Sequence, residues 1–291
     1  MNPAAPSWLL AEVRRARRGE GRARADATER VVAAHRLSTV CETARCPNRG
    51  ECFSARTATF LILGEVCTRG CAFCAVTHGK PTPPEEDEPE RLARAVGELG
   101  LAHVVITSVT RDDLPDGGAS HFGRVVTALR KTCPGVKVEL LVPDFAGSDA
   151  ALAVVVAARP DVLAHNVETV PRLYPRVRQG AAYERSLHLL RRAKALDGSL
   201  PTKSGLMLGL GETGEEVESA LLDLAGARCD LLTVGQYLAP SPFHASVERY
   251  VELEEFEAWR VKAKGMGFRS VAAAPLVRSS YKAPLFLATL A

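Results

Sequence analysis

The chain has 291 residues, 46% hydrophobic and 24% charged, which suits a globular protein of one large or two modest domains and excludes disordered or collagen-like chains. Its longest apolar run, Ala150 to Ala158, is about half of what a bilayer span needs, and the N-terminal charges follow a short apolar patch rather than preceding a long one. No membrane segment or secretory signal is therefore expected, and the chain is assigned to the cytoplasm. Net charge is +3; the first thirty residues, with seven Arg against four acidic residues, carry all of that surplus as a solvated arm. With 2 Trp, 5 Tyr and 9 Phe the chain lacks the interleaved aromatic and basic residues that stack single-stranded bases, so no nucleic-acid partner is expected.

In chain order, short β-rich runs alternate with amphipathic helical stretches. TFLILG at 59–64 precedes a helix over 89–99, with Pro89 in its first turn, and HVVITSV at 103–109 precedes one over 120–132. KVELLV at 137–142 leads to 148–158, DVLAHNVE at 161–168 to 183–196 with Asp197-Gly198 as the stop, SGLMLGLG at 204–211 to 214–226, and DLLTVGQYL at 230–238 to 253–264. This order predicts right-handed parallel crossovers, and unbroken apolar runs such as LILG and VVIT predict strands covered on both faces. Six units are fewer than a closed eight-stranded barrel requires, which leaves an open partial barrel or a doubly wound sheet. Residues 1–58 and 265–291 fall outside the repeat, and the acidic, Pro-rich PTPPEEDEP at 81–89 reads as a surface loop.

In such folds ligands bind at the C-terminal ends of strands. Six of the eight cysteines lie within 34 residues: Cys41, Cys46 and Cys52 before the first strand, then Cys67, Cys71 and Cys74 directly after it, at its C-terminal end. Without a secretory signal, thiolate ligation of a metal is favoured over disulfides. The isolated Cys133 and Cys229 read as small buried hydrophobes. CTRGCAFC offers three thiolates from one loop. A closed zinc site needs a fourth ligand, which His78 supplies in one reading; in the other, an iron–sulfur cubane uses three thiolates and keeps one iron for an outside ligand.

The CxxxCxxC spacing, with an aromatic residue before the last Cys and a strand before the first, resembles the radical S-adenosylmethionine superfamily. Within it the chain resembles the lipoyl synthase family over about residues 35–285, through ARCPNRGECF, GEVCTRGCAFCAV, VVITSVTRDDLPDGGA, HNVETVPRLYPRVR, KSGLMLGLGET, YLAPSPFH and PLVRSSYKA. The resemblance implies an α/β fold, a partial (β/α)6 TIM-like barrel over 59–264, with an N-terminal extension (1–58) carrying auxiliary-cluster cysteines and a C-terminal extension (265–291) carrying a serine ligand. It implies two 4Fe-4S clusters, one on Cys67, Cys71 and Cys74 and an auxiliary one on Cys41, Cys46, Cys52 and Ser280. It also implies S-adenosylmethionine, whose reductive cleavage yields a 5′-deoxyadenosyl radical. The expected reaction inserts two sulfur atoms, taken from the auxiliary cluster, at the sixth and eighth carbons of a protein-bound octanoyl-lysine. Expected partners are octanoylated lipoyl carrier domains (E2 subunits of 2-oxoacid dehydrogenases and the glycine cleavage H protein), an electron donor such as ferredoxin or flavodoxin, and an iron–sulfur carrier protein that rebuilds the spent cluster.

Other strand-end residues complete the expected site. Thr107 and Ser108, with the Asp112-Asp113 pair, follow the second strand, and Asn166 and Glu168 follow the fourth; Thr107, Ser108, Asn166 and Glu168 are assigned to the cofactor. Asp112-Asp113 reads equally as a helix cap, Glu168 as a surface ion pair, and Gly209 and Gly211 as either a close approach to a ligand or a turn. Arg278 is placed to buttress Ser280. No His is given a catalytic part, because hydrogen-atom abstraction asks for no general base. Ala239 and Ala274 stand where the family usually carries a polar residue and Gly. The competing readings are another sulfur-inserting radical enzyme and a zinc-stabilised nucleic-acid-binding module.

Overall fold

The computed structural model describes residues 3–19 and 22–288, so the outermost residues of both expected extensions lie outside the described residues. Two helices open the chain, α1 (Ser7–Arg18) and α2 (Arg22–Ala34), followed by β1 (Ser38–Thr39), α3 (Val40–Thr43) and α4 (Arg49–Ser54). Then come β2 (Thr59–Ile62), the short β3 (Val66–Cys67) and β4 (Thr77–His78), α5 (Glu88–Leu99), β5 (His103–Ser108), α6 (Ala119–Thr132), β6 (Lys137–Leu141) and α7 (Asp149–Ala157). The remainder comprises β7 (Val162–Ala164), α8 (Tyr174–Val177), α9 (Tyr183–Leu196), β8 (Thr202–Leu208), α10 (Gly214–Gly226), β9 (Leu231–Gln236), α11 (Leu253–Gly265), β10 (Ser270–Ala273) and α12 (Ala283–Ala288).

The chain divides into two compact units, one of residues 13–69 and 76–163, the other of residues 1–12, 70–75 and 164–291. In the first unit β1 runs antiparallel to β2, and β2, β5 and β6 are parallel, with Thr59 opposite Val105 and His103 opposite Lys137. Phe60, Ile62, Val104, Ile106, Val138 and Leu140 are fully buried, as expected of strands covered on both faces. α5 packs on α6 and α6 on α7. α5 starts with Glu88 and Glu90 at the positive end of its dipole and Pro89 in its first turn, and ends at Gly100, whose φ of 66° is the left-handed stop. β3 and β4 form a separate parallel ribbon.

In the second unit β8 is parallel to β9 and β9 to β10, with Lys203 and Ser270 both opposite Leu231. β10 is a further parallel strand that the hydrophobic pattern did not reveal; its four residues are too few to show a period. The strand expected over 161–168 stops at Ala164. Asp161 N–H donates to Val138 O at 2.8 Å before it and His165 N–H to Lys203 O at 2.9 Å after it; the chain then passes through Glu168, whose left-handed φ of 65° breaks the strand and leaves a single parallel bridge to Leu206 of β8. Helices α9, α10 and α11 bury Leu187, Leu190, Val217, Leu221, Leu224 and Phe256.

Candidate metal centre and cofactor site

Cys67 ends β3 in the first unit. Its carbonyl accepts Gly79 N–H at 2.9 Å, and its sulfur accepts the backbone N–H groups of Arg69 at 3.4 Å and Thr110 at 3.3 Å. Cys71 and Cys74 lie in the second unit on a turn closed by Cys74 N–H to Cys71 O (3.0 Å). That turn is tied down by Ala72 N–H to Val177 O (2.9 Å) and Ala245 N–H to Ala72 O (2.8 Å). All three thiols are half-buried. Tyr237, at the end of β9, donates its hydroxyl to Ala245 O at 2.7 Å, which fixes the segment supporting Ala72. Arg178 stays protonated despite its burial because Tyr174, Glu168 and Cys71 surround it, and it donates to the Tyr174 hydroxyl at 2.9 Å.

The other triple is folded by α3 and α4. Cys41 is buried on α3, and Cys46 and Cys52 are half-buried. Arg45, at φ 50°, turns the chain so that Cys46 N–H reaches Cys41 O at 3.1 Å, and Cys52 N–H donates to Asn48 O at 2.9 Å as α4 begins. Burial pushes the Cys41 thiol up to about 11 against a hydrogen bond from the Thr59 backbone, with the neighbouring Cys46 adding to the rise.

Ser280 stands in the second unit, half-buried, its carbonyl accepting Ala283 N–H at 3.3 Å. The segment before it is seated on bare backbone. A Cβ on Gly235 would overlap the Val277 carbonyl oxygen, and one on Gly205 would lie 2.8 Å from Asn166 Oδ1, 2.8 Å from Thr233 Oγ1 and 3.0 Å from Ser279 Oγ. β8 and β9 accept the tail because two residues have no side chain.

Among the residues assigned to the cofactor, Asn166 is buried, donates to Glu168 Oε1 at 3.0 Å and leaves its own Oδ1 without a hydrogen-bond partner. Glu168 is fixed by Glu168 N–H to Gly205 O (3.0 Å) and Met207 N–H to its own carbonyl (2.8 Å). Burial raises its carboxyl above the usual range, opposed by Arg178, the Asn166 amide and Arg278. Ser108 Oγ is buried and likewise unpartnered. Thr107 donates its hydroxyl to Leu141 O at 2.8 Å, which leaves it only acceptor capacity.

The remaining sequence candidates resolve differently. Asp113 forms a two-pronged pair with Arg111 (2.8 Å on each prong), and Asp112 pairs with Arg69; neither caps a helix. Gly209 makes room for the Gln236 amide and the Arg249 carbonyl, with a Cβ position 2.6 Å from the latter, so its bare backbone serves packing. Its neighbour Gln236, the last residue of β9, is consumed by the Leu208, Tyr237 and Arg249 carbonyls and by Val251 N–H. Cys229 is a buried hydrophobe as expected, whereas Cys133 is half-buried, 3.3 Å from where a Cβ on Gly97 would sit. Sequence reasoning missed the roles of Arg69, Arg178 and Tyr174, although Arg69 lies inside the cysteine motif and Tyr174 and Arg178 inside the segment HNVETVPRLYPRVR.

Among the described residues no three His, Cys, Asp or Glu side chains converge tightly enough to hold a single metal ion. His78 is exposed on β4. The donor set nonetheless fits an iron–sulfur cluster: three half-buried thiols on one loop and two amides aimed at the Cys67 sulfur. In the second unit the orphaned Asn166 Oδ1 fits a polar organic ligand, and in the first the orphaned Ser108 Oγ does so separately.

The family model described as the Radical SAM superfamily matches residues 61–224. The crystal structure of methylornithine synthase is similar over 94% of this chain and 86% of its own, at TM-score 0.56 and 16% identity. That of Streptococcus suis SuiB bound to S-adenosylmethionine is similar over 79% and 55%, at TM-score 0.58 and 11% identity. The fold is thus the mostly parallel α/β partial TIM-like barrel, and the chain is a radical S-adenosylmethionine enzyme, a class that uses a 4Fe-4S cluster. Over 251 residues it is 57% identical to the lipoyl synthase of Caldanaerobacter subterraneus subsp. tengcongensis, covering 86% of this chain and 88% of that one. It is 58% identical over 250 residues to that of Syntrophotalea carbinolica (86% and 81%) and 51% over 278 residues to that of Caldicellulosiruptor bescii (96% and 94%). The chain belongs to the lipoyl synthase family, whose members are sulfur-inserting enzymes of lipoate biosynthesis. No described helix is long and apolar enough to cross a membrane.

Proposed function

We propose that the chain inserts two sulfur atoms at the sixth and eighth carbons of an octanoyl group borne on a lysine of a lipoyl carrier domain. In this reading Cys67, Cys71 and Cys74 hold the cluster that meets S-adenosylmethionine, and Cys41, Cys46, Cys52 and Ser280 hold an auxiliary 4Fe-4S cluster that donates the sulfur. When bound, these groups supply a carbon-centred oxidant and inorganic sulfide, chemistry that no side chain offers to an unactivated C–H bond.

The chain's own residues position and balance charge. Cys41 must surrender its proton to become a ligand, so loading of that site releases protons. Ser280 brings an oxygen, a harder and poorer ligand for iron than thiolate, so the iron it holds is the one most easily released. Asn166 Oδ1, the Glu168 carboxylate and Ser108 Oγ accept hydrogen bonds from the amino and hydroxyl groups of S-adenosylmethionine, and Thr107 contributes its remaining lone pairs. Arg178 keeps positive charge beside Cys71 and Glu168.

On this reading, residues 1–58 carry the auxiliary cysteines, 59–264 the radical-generating barrel and 265–291 the serine ligand. The substrates are octanoylated E2 subunits of 2-oxoacid dehydrogenases and the glycine cleavage H protein. Ferredoxin or flavodoxin delivers electrons, and an iron–sulfur carrier protein restores the consumed cluster, all in the cytoplasm.

The observation that carries the reading is the second thiol triple, gathered by α3 and α4 in addition to the motif after β2. The test is anaerobic turnover on an octanoyl-lysine peptide read by mass. Cys71→Ala should abolish 5′-deoxyadenosine release; Cys46→Ala should retain release but yield no thiolated peptide. Thiolated product from Cys46→Ala, or zinc without iron in the native protein, would overturn it.

A further inference from the structure

Arg69 lies between Cys67 and Cys71, and its side chain, 8% exposed, turns away from solvent onto two carboxylates. Nε and Nη2 grip Asp112 at 2.7 and 2.8 Å, and Nη2 also meets Asp144 Oδ1 at 2.7 Å. Asp112 follows β5 and Asp144 follows β6, so one guanidinium ties the start of the cysteine loop to the ends of two core strands. Thr68 reinforces the tie: its N–H and hydroxyl both donate to Thr110 O at 3.0 Å, and Asp112 N–H donates to its hydroxyl at 3.1 Å. The Asp144 side chain is fully buried and also accepts Ala146 N–H at 3.1 Å. A planar fork with fixed donors suits this double grip; the point charge of lysine does not.

Resting on the reading of Cys67 as a cluster ligand, we propose that Arg69 is a positioning residue for that site. It locks residues 67–69 so that its own backbone N–H and that of Thr110 stay on the Cys67 sulfur before and after the cluster is loaded. Two consequences follow from the chemistry of such sites. A preformed loop binds the cluster more tightly, and N–H groups on a ligating sulfur raise the reduction potential of the cluster.

The experiment uses the full chain carrying Cys46→Ala, so that a single centre is read, and compares Arg69→Ala, Arg69→Lys and Asp112→Asn in that background. Three quantities are measured: iron retained against a chelator, the midpoint potential of the cluster by redox titration, and hydrogen exchange of residues 67–69 in the iron-free protein. Arg69→Ala should weaken iron retention about 10- to 100-fold, shift the potential to more negative values and speed exchange at 67–69. Arg69→Lys should recover only part of each. Asp112→Asn removes the outer carboxylate while leaving Arg69 paired with Asp144, so it keeps the test open if Arg69→Ala does not fold, and should move all three readouts the same way by less. Retention and potential equal to the parent in Arg69→Ala, or in Asp112→Asn where only that variant folds, overturn the inference while the assignment of the cysteines stands. A parent that takes up no iron overturns both.

Discussion

Single atoms decide how the tail that brings Ser280 is seated. The Val277 carbonyl occupies the space a Cβ of Gly235 would fill, and Ser279 Oγ comes within 3.0 Å of the corresponding point on Gly205. Gly235→Ala should therefore shift residues 277–279 and destabilise the protein by about 1–3 kcal/mol, the usual penalty for overpacking, as read by urea unfolding. Reconstituted iron should fall as well, because Ser280 moves with the tail; iron content equal to the native protein would separate the seat from the ligand. Neither glycine stands out in the sequence. Gly209 and Gly211 drew attention as strand-end residues, yet Gly209 makes room for Gln236 and Arg249; Gly205 and Gly235 passed unnoticed because a glycine inside a strand gives no local sign of what approaches it.

At the scale of elements, α5, α7 and α10 carry end signals that are legible in the sequence. α10 begins with a complete capping box: Thr213 Oγ1 accepts Glu216 N–H at 3.3 Å and Glu216 accepts Thr213 N–H at 2.8 Å, while Arg172 leads the groups that hold the Glu216 carboxyl down to about 2. Thr213→Ala should destabilise the protein by about 1 kcal/mol, visible as a lower denaturation midpoint with unchanged slope. The six crossover helices matched their expected bounds within a residue; Ser148 and Thr213 cap α7 and α10 with their side chains, and Pro89 and Gly100 bound α5. α1 and α2 escaped notice because their many Arg side chains resemble a solvated arm, although Leu9, Ala16 and Val32 are buried. The cluster ligands were readable because thiols in a fixed spacing are rare; Arg178 was not, because Tyr174 and Glu168 give it meaning only once the chain has folded.

For the molecule as a whole, burial of uncharged acids sets an alkaline limit. Cys41 is pushed up to about 11 and Cys229 to about 12 from an ordinary 9.0, and Tyr183 and Tyr237 are raised as well, burial being the first cause in each. A raised folded value means that the unfolded chain loses its proton first. The resulting stability is complete below about pH 9 and disappears as pH rises through the folded values, with Cys41 alone worth about 3 kcal/mol. The cluster-free protein, kept reduced, should show a falling melting temperature from pH 9 to 11. Cys41→Ser should flatten part of that decline, and an unchanged slope would refute the contribution of Cys41.

The bare places on β8 and β9 also constrain anyone who would retrain this enzyme. Directed evolution of new substrate scope tends to randomise barrel strands, but at Gly205 and Gly235 any other residue adds a carbon that collides with neighbouring side chains or with the Val277–Ser279 segment. Diversity belongs in the rim loops, with those two codons left untouched.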